Sequence, residues 1–468
     1  MINELIMRSI KFLLLAFFIY HYGFIKVILL SFILNYLYHL LLYYLFDLEE
    51  LSPTEKVFVS SSNENKFTMT GYFLLDSFSP EKLKQILIDK GIQKFSRLRK
   101  KVVYRFGGYY WKEFPLDEAI KESINIMPEV NLKNNDDIEA YTIKEQATPY
   151  LLNEFPYTFK IMKQGDAGIL LVKFDHCLAD GIGMIGLLIA MSDNYSLDLY
   201  PALHDVSFIT KAFIDLLMPF YILYIIVTYS AKKYKKTPFR LKPDLKRSNK
   251  KKIGISKYFP FQTLITIAKN NHLTFNDLLM GIISKIAKGI FKDNNTNEKY
   301  LECGISINIR AMPDCLDNHK LINEKSGLIL KLKLIDDPIT EGKEIQKETK
   351  IVKSPFMAFT GHYLVILMEK VIPASLISYL LSIALNYTDV IASNVPGPKK
   401  EISYNGIKAT NILIVPNANT INFFLVATTY NGQLQITLNT DTAIDICAKK
   451  FITLIEQEFE NIIQKNNK

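Results

Sequence analysis

The residues best suited to chemistry in this chain are His176 and Asp180, which stand four positions apart in the run Phe174-Asp-His-Cys-Leu-Ala-Asp-Gly181. An imidazole titrates near neutrality, so it can take a proton from a hydroxyl group and return it later. We expect Asp180 to order the turn through a hydrogen bond or an ion pair, and Gly181 to supply backbone torsions that other residues resist. The pattern indicates general-base chemistry, and the alternative is a structural histidine.

The hydrophobic pattern predicts the elements that position this pair. Ala167 to Phe174 is an apolar run that predicts a buried strand, and Gly181 to Met191 predicts a helix. Phe67 to Leu75 predicts another strand, and Ser79-Pro80-Glu81 predicts a helix start with proline in its first turn. Leu51 to about Leu203 is therefore expected to be a mixed α/β unit.

The pattern becomes mixed α/β again from Ile253 to the C-terminus. No short-period repeat is visible. The predicted elements are helices at Phe261 to Asn271 and Asn276 to Phe291, a strand at Cys303 to Ile309, and a hairpin formed by Phe423 to Thr429 and Leu434 to Leu438 around Asn431-Gly432.

Between these halves the charge is uneven. The 468-residue chain carries a net charge of +9, and Lys232 to Lys252 holds eleven Lys or Arg and one acidic residue. Because this stretch follows the apolar run Leu216 to Tyr229, it favours an anionic membrane surface over nucleic acid. We interpret Phe208 to Lys252 as a linker with a membrane-touching helix. The alternatives are a solvated linker and a buried crossover helix.

The N-terminus gives the strongest targeting signal. Phe12 to Phe46 is almost wholly apolar and is interrupted by Lys26. Val27 to Phe46 is 20 residues long, which is enough for a spanning helix. We expect a retained hydrophobic membrane anchor, either a single span or a hairpin. A cleaved signal peptide is the competing interpretation.

The four cysteines form no Cys-x-x-Cys pair, and nothing in their spacing indicates a disulfide framework or a zinc site. We therefore expect no metal centre. The cysteine count suits a reducing compartment.

The His176-to-Gly181 run resembles the HHxxxDG motif of the wax ester synthase/diacylglycerol acyltransferase family, and further segments follow in that family's order. Together they cover about Leu51 to Ile455. The supporting segments are Leu51-Ser-Pro-Thr-Glu-Lys-Val-Phe58, Phe95-Ser-Arg-Leu-Arg99, Thr274-Phe-Asn-Asp277, Ser306-Ile-Asn-Ile-Arg310, Ser393-Asn-Val-Pro-Gly-Pro398, and Tyr430-Asn-Gly432 followed by Asn439-Thr-Asp441.

The resemblance implies a two-lobed α/β fold of the chloramphenicol-acetyltransferase or condensation-domain type, with a channel between the lobes. On this basis we expect four parts. They are a membrane anchor at 1–50, an N-terminal lobe at 51–205, the linker at 206–252, and a C-terminal lobe at 253–468.

The resemblance also implies an activity and its residues. An acyl-CoA would be the co-substrate, with no resident cofactor, and a long-chain alcohol or diacylglycerol would be the acceptor. His176 would be the general base, supported by Asp180 and Gly181. The cation beside Asp180 would be Arg310 or Arg97, and Cys177 would pack rather than react. The candidates for the substrate channel or the oxyanion contact are Asn276, Asp277, Ser393 and Asn394.

Two departures from the family pattern stand out. Asp175 replaces the family's first histidine, and Pro156-Tyr-Thr158 replaces its Pro-Leu-Trp. The expected product is a wax ester or triacylglycerol, made at a membrane of the endoplasmic reticulum with lipid-droplet association. The alternatives are a non-catalytic lipid-binding relative and a transferase with a soluble acceptor.

Overall fold

The computed structural model describes residues 17, 20, 24–61, 67–132, 134–199, 207–210, 212–218, 220, 236–242, 245–248, 250–310, 319–352 and 354–466. These residues form two large β-sheets that are covered by helices, with a small third sheet beside the first.

The strands number sixteen in the described residues. They are β1 Leu48–Glu50, β2 Phe67–Leu75, β3 Lys100–Arg105, β4 Gly108–Glu113, β5 Ile124–Met127, β6 Tyr157–Gln164, β7 Ala167–Asp175, β8 Lys251–Ile255, β9 Phe259–Pro260, β10 Tyr300–Asn308, β11 Lys325–Lys333, β12 Val390–Pro396, β13 Ser403–Tyr404, β14 Ile407–Ala418, β15 Phe423–Tyr430 and β16 Gln433–Asp441.

The α-helices with defined bounds number twelve in the same residues. They are α1 Phe24–Phe46, α2 Pro53–Val59, α3 Pro80–Ile86, α4 Leu116–Ser123, α5 Asn135–Gln146, α6 Gly181–Met191, α7 Phe261–Asn270, α8 Phe275–Asp293, α9 Gly342–Val352, α10 Pro355–Val371, α11 Ala374–Asn386 and α12 Ala448–Asn466.

The predicted strands and helices around His176 are confirmed. The strand expected at Phe67 to Leu75 is β2, the one expected at Ala167 to Phe174 is β7, and the helix expected at Gly181 to Met191 is α6. The C-terminal hairpin is also confirmed, because Asn431 and Gly432 have φ angles of 45° and 75° at its turn.

The first sheet has the order β13-β14-β2-β7-β6-β5, and the second has β11-β10-β12-β15-β16-β8, with β9 also pairing with β16. β2, β7 and β14 are antiparallel neighbours, whereas β10, β12 and β15 run parallel to one another. The expected two-part α/β architecture is confirmed. The sheets do not follow the predicted lobe boundary strictly, however, because β13 and β14 come from the C-terminal half of the chain and join the N-terminal sheet.

Hydrogen bonds join the two sheets where β14 passes β16. Thr437 Oγ1 donates to the carbonyl oxygen of Ile414 at 2.7 Å, and Asn439 Nδ2 donates to that of Pro416 at 2.8 Å. Each sheet buries its own apolar core against its own helices. The junction thus fixes the position of one half of the chain relative to the other.

The expected N-terminal anchor is not supported. In the described part of the chain, no helix combines the length and apolar character needed to cross a membrane.

The expectation that the basic stretch faces a membrane is wrong for Arg240 and Arg247. Arg240 is buried and donates from Nε to Asp389 Oδ1 at 2.8 Å and from Nη2 to Glu302 Oε2 at 3.3 Å. Arg247 donates to the carbonyl oxygen of Thr420 at 2.9 Å. These two arginines hold the described residues around them, 236–242 and 245–248, against the second sheet. Residues 221–235, which include most of the predicted apolar run and the first lysines, lie outside the described residues.

The described part of the predicted membrane-touching helix has one buried face. Ile214 and Met218 pack against α10, where they contact the region of Phe359 and Leu367. Phe213 and Leu216 are exposed. The buried face agrees with the alternative of a crossover helix packed on the fold.

Candidate active site

His176 directly follows the last residue of β7, and its backbone fixes it to a neighbouring strand. Its N–H donates to the carbonyl oxygen of Phe67 in β2 at 2.8 Å. β7 is buried along most of its length because both faces of the strand are apolar. The side chain of His176 is therefore held at the edge of a rigid sheet and is itself 6% exposed.

Asp180 is the N-cap of α6 and joins three parts of the chain. Its Oδ1 accepts from the N–H of Gly183 at 2.7 Å, which satisfies a free donor of the helix start. Its Oδ2 accepts from the N–H of Glu324 at 2.9 Å, and Arg310 Nη2 lies 3.2 Å from both carboxylate oxygens. Asp180 therefore positions the turn that carries His176.

Of the two candidate cations, Arg310 contacts Asp180, whereas Arg97 lies 3.5 Å from Glu49 and Glu55. Gly183 leaves room for this contact, because a Cβ there would lie 3.1 Å from both terminal nitrogens of Arg310, which is closer than a Cβ usually approaches.

The expected reason for Gly181 is wrong. Gly181 begins α6 without the positive φ angle that favours glycine, and a Cβ there would meet Val395 at an ordinary 3.4 Å.

Asn323 fixes the tautomer of His176. Its Nδ2 donates to the carbonyl oxygen of His176 at 2.7 Å, which turns its Oδ1 toward the imidazole, 2.9 Å from Nδ1. An amide oxygen only accepts, so Nδ1 must carry the proton and Nε2 must carry the free electron pair. Nε2 is therefore the basic nitrogen.

Lys325 lies at that basic nitrogen. Its Nζ is 2.6 Å from Nε2, within range of a hydrogen bond that the ammonium donates. Phe58 of α2 covers both groups, since its ring stacks on the imidazole at 4.7 Å and lies 5.0 Å from Nζ. The cluster of His176, Asn323, Lys325 and Phe58 combines a fixed imidazole with a close ammonium.

The electrostatics favour a neutral imidazole. Burial, with the Lys325 charge beside it, lowers the pKa of His176 to about 3. Burial also lowers the pKa of Lys325 to about 8, against a smaller opposing effect of Asp180. Near pH 7 the site therefore holds a neutral imidazole next to a mostly protonated amine.

Asp175 turns toward its own loop. Its Oδ1 accepts from the N–H of Cys177 at 2.8 Å, and its own N–H donates to the carbonyl oxygen of Pro156. Cys177 is buried in the first apolar core. The residue that replaces the family's first histidine thus stabilises the turn locally.

The second-half candidates form two separate arrangements. Asn394 Nδ2 donates to Asn276 Oδ1 at 2.9 Å, and Ser393 lies on β12 opposite Val426. Asp277 is buried and caps α8, because its side chain accepts from the N–H of Thr274 at 2.9 Å.

The segment at 393–398 approaches the active-site turn at Val395, whose side chain lies 3.4 Å from the place that a Cβ on Gly181 would take. Among the described residues, His176 bonds to Asn323, Lys325 and Phe67 rather than to Asn276 or Asn394. No cluster of three or more His, Cys, Asp and Glu side chains that could hold a metal occurs in the described residues.

Sequence reasoning missed Asn323 and Lys325. They precede or begin β11 and follow residues 311–318, which lie outside the described residues. The available signal was indirect: an Asn just before a strand, and a Lys as the first residue of that strand, in which polar and apolar residues partly alternate.

Known proteins resemble this chain in sequence over most of its length. Residues 323–463 match the family model described as the WS/DGAT C-terminal domain. The chain is 24% identical over 452 residues to wax ester synthase/diacylglycerol acyltransferase 3 of Arabidopsis thaliana, and the match covers 85% of this chain and 90% of that protein.

Solved structures share the fold. The wax ester synthase/diacylglycerol acyltransferase from Marinobacter aquaeolei VT8 matches with a TM-score of 0.60 at 15% identity, covering 90% of this chain and 100% of that one. The starter condensation domain of rhizomide synthetase RzmA, solved as a variant with C8-CoA, matches with a TM-score of 0.60 at 13% identity, covering 89% and 94%. These similarities confirm the condensation-domain type of α/β fold.

Proposed function

We propose that this chain, which belongs to the wax ester synthase/diacylglycerol acyltransferase family, transfers a fatty acyl group from acyl-CoA to a long-chain alcohol or to diacylglycerol. The family is one of acyltransferases, and membership makes the chain an acyl-CoA-dependent O-acyltransferase. The lipid acceptor, the product (a wax ester or triacylglycerol) and the role of each residue belong to the proposal.

The observation that carries the proposal is the state of His176. Its Nε2 is unprotonated, its ring is held by Asn323 and Phe58, and its pKa is lowered to about 3. The free electron pair on Nε2 can accept the proton of an acceptor hydroxyl as its oxygen attacks the thioester carbonyl. Collapse of the tetrahedral oxyanion then expels the CoA thiolate, which takes the proton from Nε2. This sequence needs no acyl-enzyme, so Cys177 stays a packing residue.

The surroundings of the turn are apolar. A small cavity between the first sheet and α6 is lined by apolar side chains, among them Met69, Phe73, Phe174 and Met184, and by Gly181 at its edge. Such lining favours apolar groups over polar ones. Asn276, Asp277, Ser393 and Asn394 remain candidates for the acceptor side of the channel.

The proposed place of action is a membrane, with the endoplasmic reticulum and lipid droplets as the sites that fit the substrates. Long-chain alcohols and diacylglycerol partition into bilayers. The side chains of Leu30, Ile33, Leu34 and Leu41 on α1 are exposed, and they support contact with lipid.

An ester-synthesis assay tests the proposal. Microsomes from a host that lacks neutral lipids, expressing wild type or His176→Ala, receive labelled acyl-CoA with hexadecanol, diacylglycerol or a short soluble alcohol. We expect wild type to make a neutral ester from one of the two lipid acceptors and His176→Ala to make none. Transfer to the soluble alcohol alone, or no transfer by either chain, would replace the proposal with a soluble-acceptor transferase or a non-catalytic lipid-binding protein.

A further inference from the structure

We infer that Lys325 is a further catalytic residue: its ammonium occupies the acceptor-oxygen position at His176 Nε2 in the free enzyme, and it stabilises the oxyanion once an acceptor hydroxyl has displaced it. The inference rests on the proposed function and assigns a residue to its transition state.

Lys325 Nζ lies where an acceptor oxygen has to bind. An acceptor hydroxyl can give its proton to Nε2 only from hydrogen-bond distance, about 2.6–3.2 Å. Lys325 Nζ lies 2.6 Å from Nε2 and therefore fills that position. An acceptor that binds productively must move the ammonium aside.

The surroundings of Lys325 limit where its ammonium can move. Lys325 is the first residue of β11, and its Cα is in register with Asn308 of β10, so its backbone is fixed. Its Nζ lies 5.0 Å from the centre of the Phe58 ring, on which the imidazole also stacks. An ammonium is attracted to an aromatic face within about 6 Å, so the displaced Nζ stays over Phe58 and next to His176.

The displaced ammonium lies next to the oxyanion of the tetrahedral intermediate. In the tetrahedral intermediate the attacking oxygen and the oxyanion are bonded to the same carbon. An ammonium that leaves the position of the attacking oxygen by about the width of one atom therefore lies beside the oxyanion. A donor already in place where charge develops, in a site shielded from water, lowers the barrier without reorganisation.

The charges that face Lys325 leave its ammonium available for this role. Within the described residues Lys325 Nζ hydrogen-bonds to His176, and the carboxylate that acts on it from a distance, Asp180, is already bound by Arg310. Asn308 across the sheet is uncharged. On α10, which contacts β11 through Gly361 and Ser326, the adjacent titratable residue is His362. With its pKa lowered to about 8 by burial, Lys325 still carries its proton near pH 7.

The step balances without a further reactant. The acceptor O–H proton passes to Nε2, the O–C bond forms, and the carbonyl electron pair becomes the oxyanion that the Lys325 ammonium contacts. On collapse the C–S bond breaks and the thiolate takes the proton from Nε2. Lys325 keeps its proton throughout.

The test compares Lys325→Met and Lys325→Arg with wild type in the ester assay, with Lys331→Met as the matched control. Lys331 lies on the same strand and is exposed, so the same substitution there leaves kcat unchanged. We expect Lys325→Met to lower kcat by roughly 10²–10³-fold, as removal of an oxyanion donor does, with KM for acyl-CoA little changed. Lys325→Arg keeps the charge and should recover part of the loss.

A pH profile covers the case in which Lys325→Met fails to fold. The wild-type kcat should fall as the pH rises through about 8, because the ammonium loses its proton there, and Lys325→Arg should lack this fall. A Lys325→Met enzyme as fast as wild type or faster, or a wild-type kcat that stays level through pH 9.5, would show that Lys325 merely obstructs the base and would overturn the inference alone. Wild type that makes no ester would overturn the proposed function and this inference with it.

Discussion

Replacement of Asp180 by Asn separates a positioning role from a chemical one. Asn keeps one oxygen, which can accept from the N–H of Gly183 and so preserve the cap of α6, but its Nδ2 replaces the oxygen that accepts from the N–H of Glu324. The substitution also removes the negative charge beside Arg310, which is 5% exposed. The substitution therefore removes the ion pair and one backbone hydrogen bond, while the helix cap stays.

The magnitude follows from burial. Asp180 is 4% exposed, and Arg310 Nη2 contacts both of its oxygens. Removing one partner of such a pair leaves the other charge buried and uncompensated, which costs about 3–5 kcal/mol of unfolding free energy. Arg310→Met should cost a similar amount. The double variant should cost much less than the sum, because neither charge then remains buried.

Urea unfolding of the four chains and their ester-synthesis kcat are the measurements. Asp336→Asn is the matched control, because Asp336 pairs with Lys288 at the surface and should change stability by less than about 1 kcal/mol. We expect the double variant to recover both stability and part of the activity that Asp180→Asn loses. Additive losses in the double variant, or an inactive but fully stable Asp180→Asn, would refute the positioning role.

Three further outcomes follow from the same site. Because burial lowers the pKa of His176 to about 3, the imidazole stays neutral above that pH, and kcat should be level between pH 5 and 7. A kcat that falls to half as the pH is lowered through 6.5 would contradict the lowered pKa. Asn323→Leu removes the acceptor that holds the proton on Nδ1, and kcat should drop by roughly 10²-fold or more with the melting temperature measured alongside; unchanged kcat would show that the tautomer needs no such support. Cys177→Ala should retain ester synthesis within about twofold, since no acyl-enzyme forms, and an inactive, folded variant would point to covalent catalysis.

The local geometry of the site could be predicted from the sequence. β7, the turn and α6 are adjacent in the chain, and each has a pattern that decides its form: an apolar run, an Asp cap and an apolar helix. The reason given for Gly181 failed, because helix formation after an N-cap needs no unusual torsion.

The partners of the site could not be predicted in the same way. Asn323 and Lys325 lie 147 and 149 residues from His176 in the chain, and no local pattern links them to it. The entry of β14 into the first sheet is likewise a long-range pairing. The prediction that Arg240 faces a membrane was wrong for the same reason. Its carboxylate partners Glu302 and Asp389 are distant in sequence, and they make Arg240 part of a buried ion pair instead of a surface charge.

The rate of ester formation by His176→Ala tests the central claim most directly. The measurement is kcat with saturating acyl-CoA and the preferred lipid acceptor. His272→Asn serves as a control, because His272 is exposed and has a φ of 57° that Asn tolerates. A general base contributes roughly 10²–10⁴-fold, so we expect a loss of that size in His176→Ala and none in the control. A His176→Ala enzyme that keeps more than about a tenth of the wild-type kcat would contradict the assignment of His176 as the base.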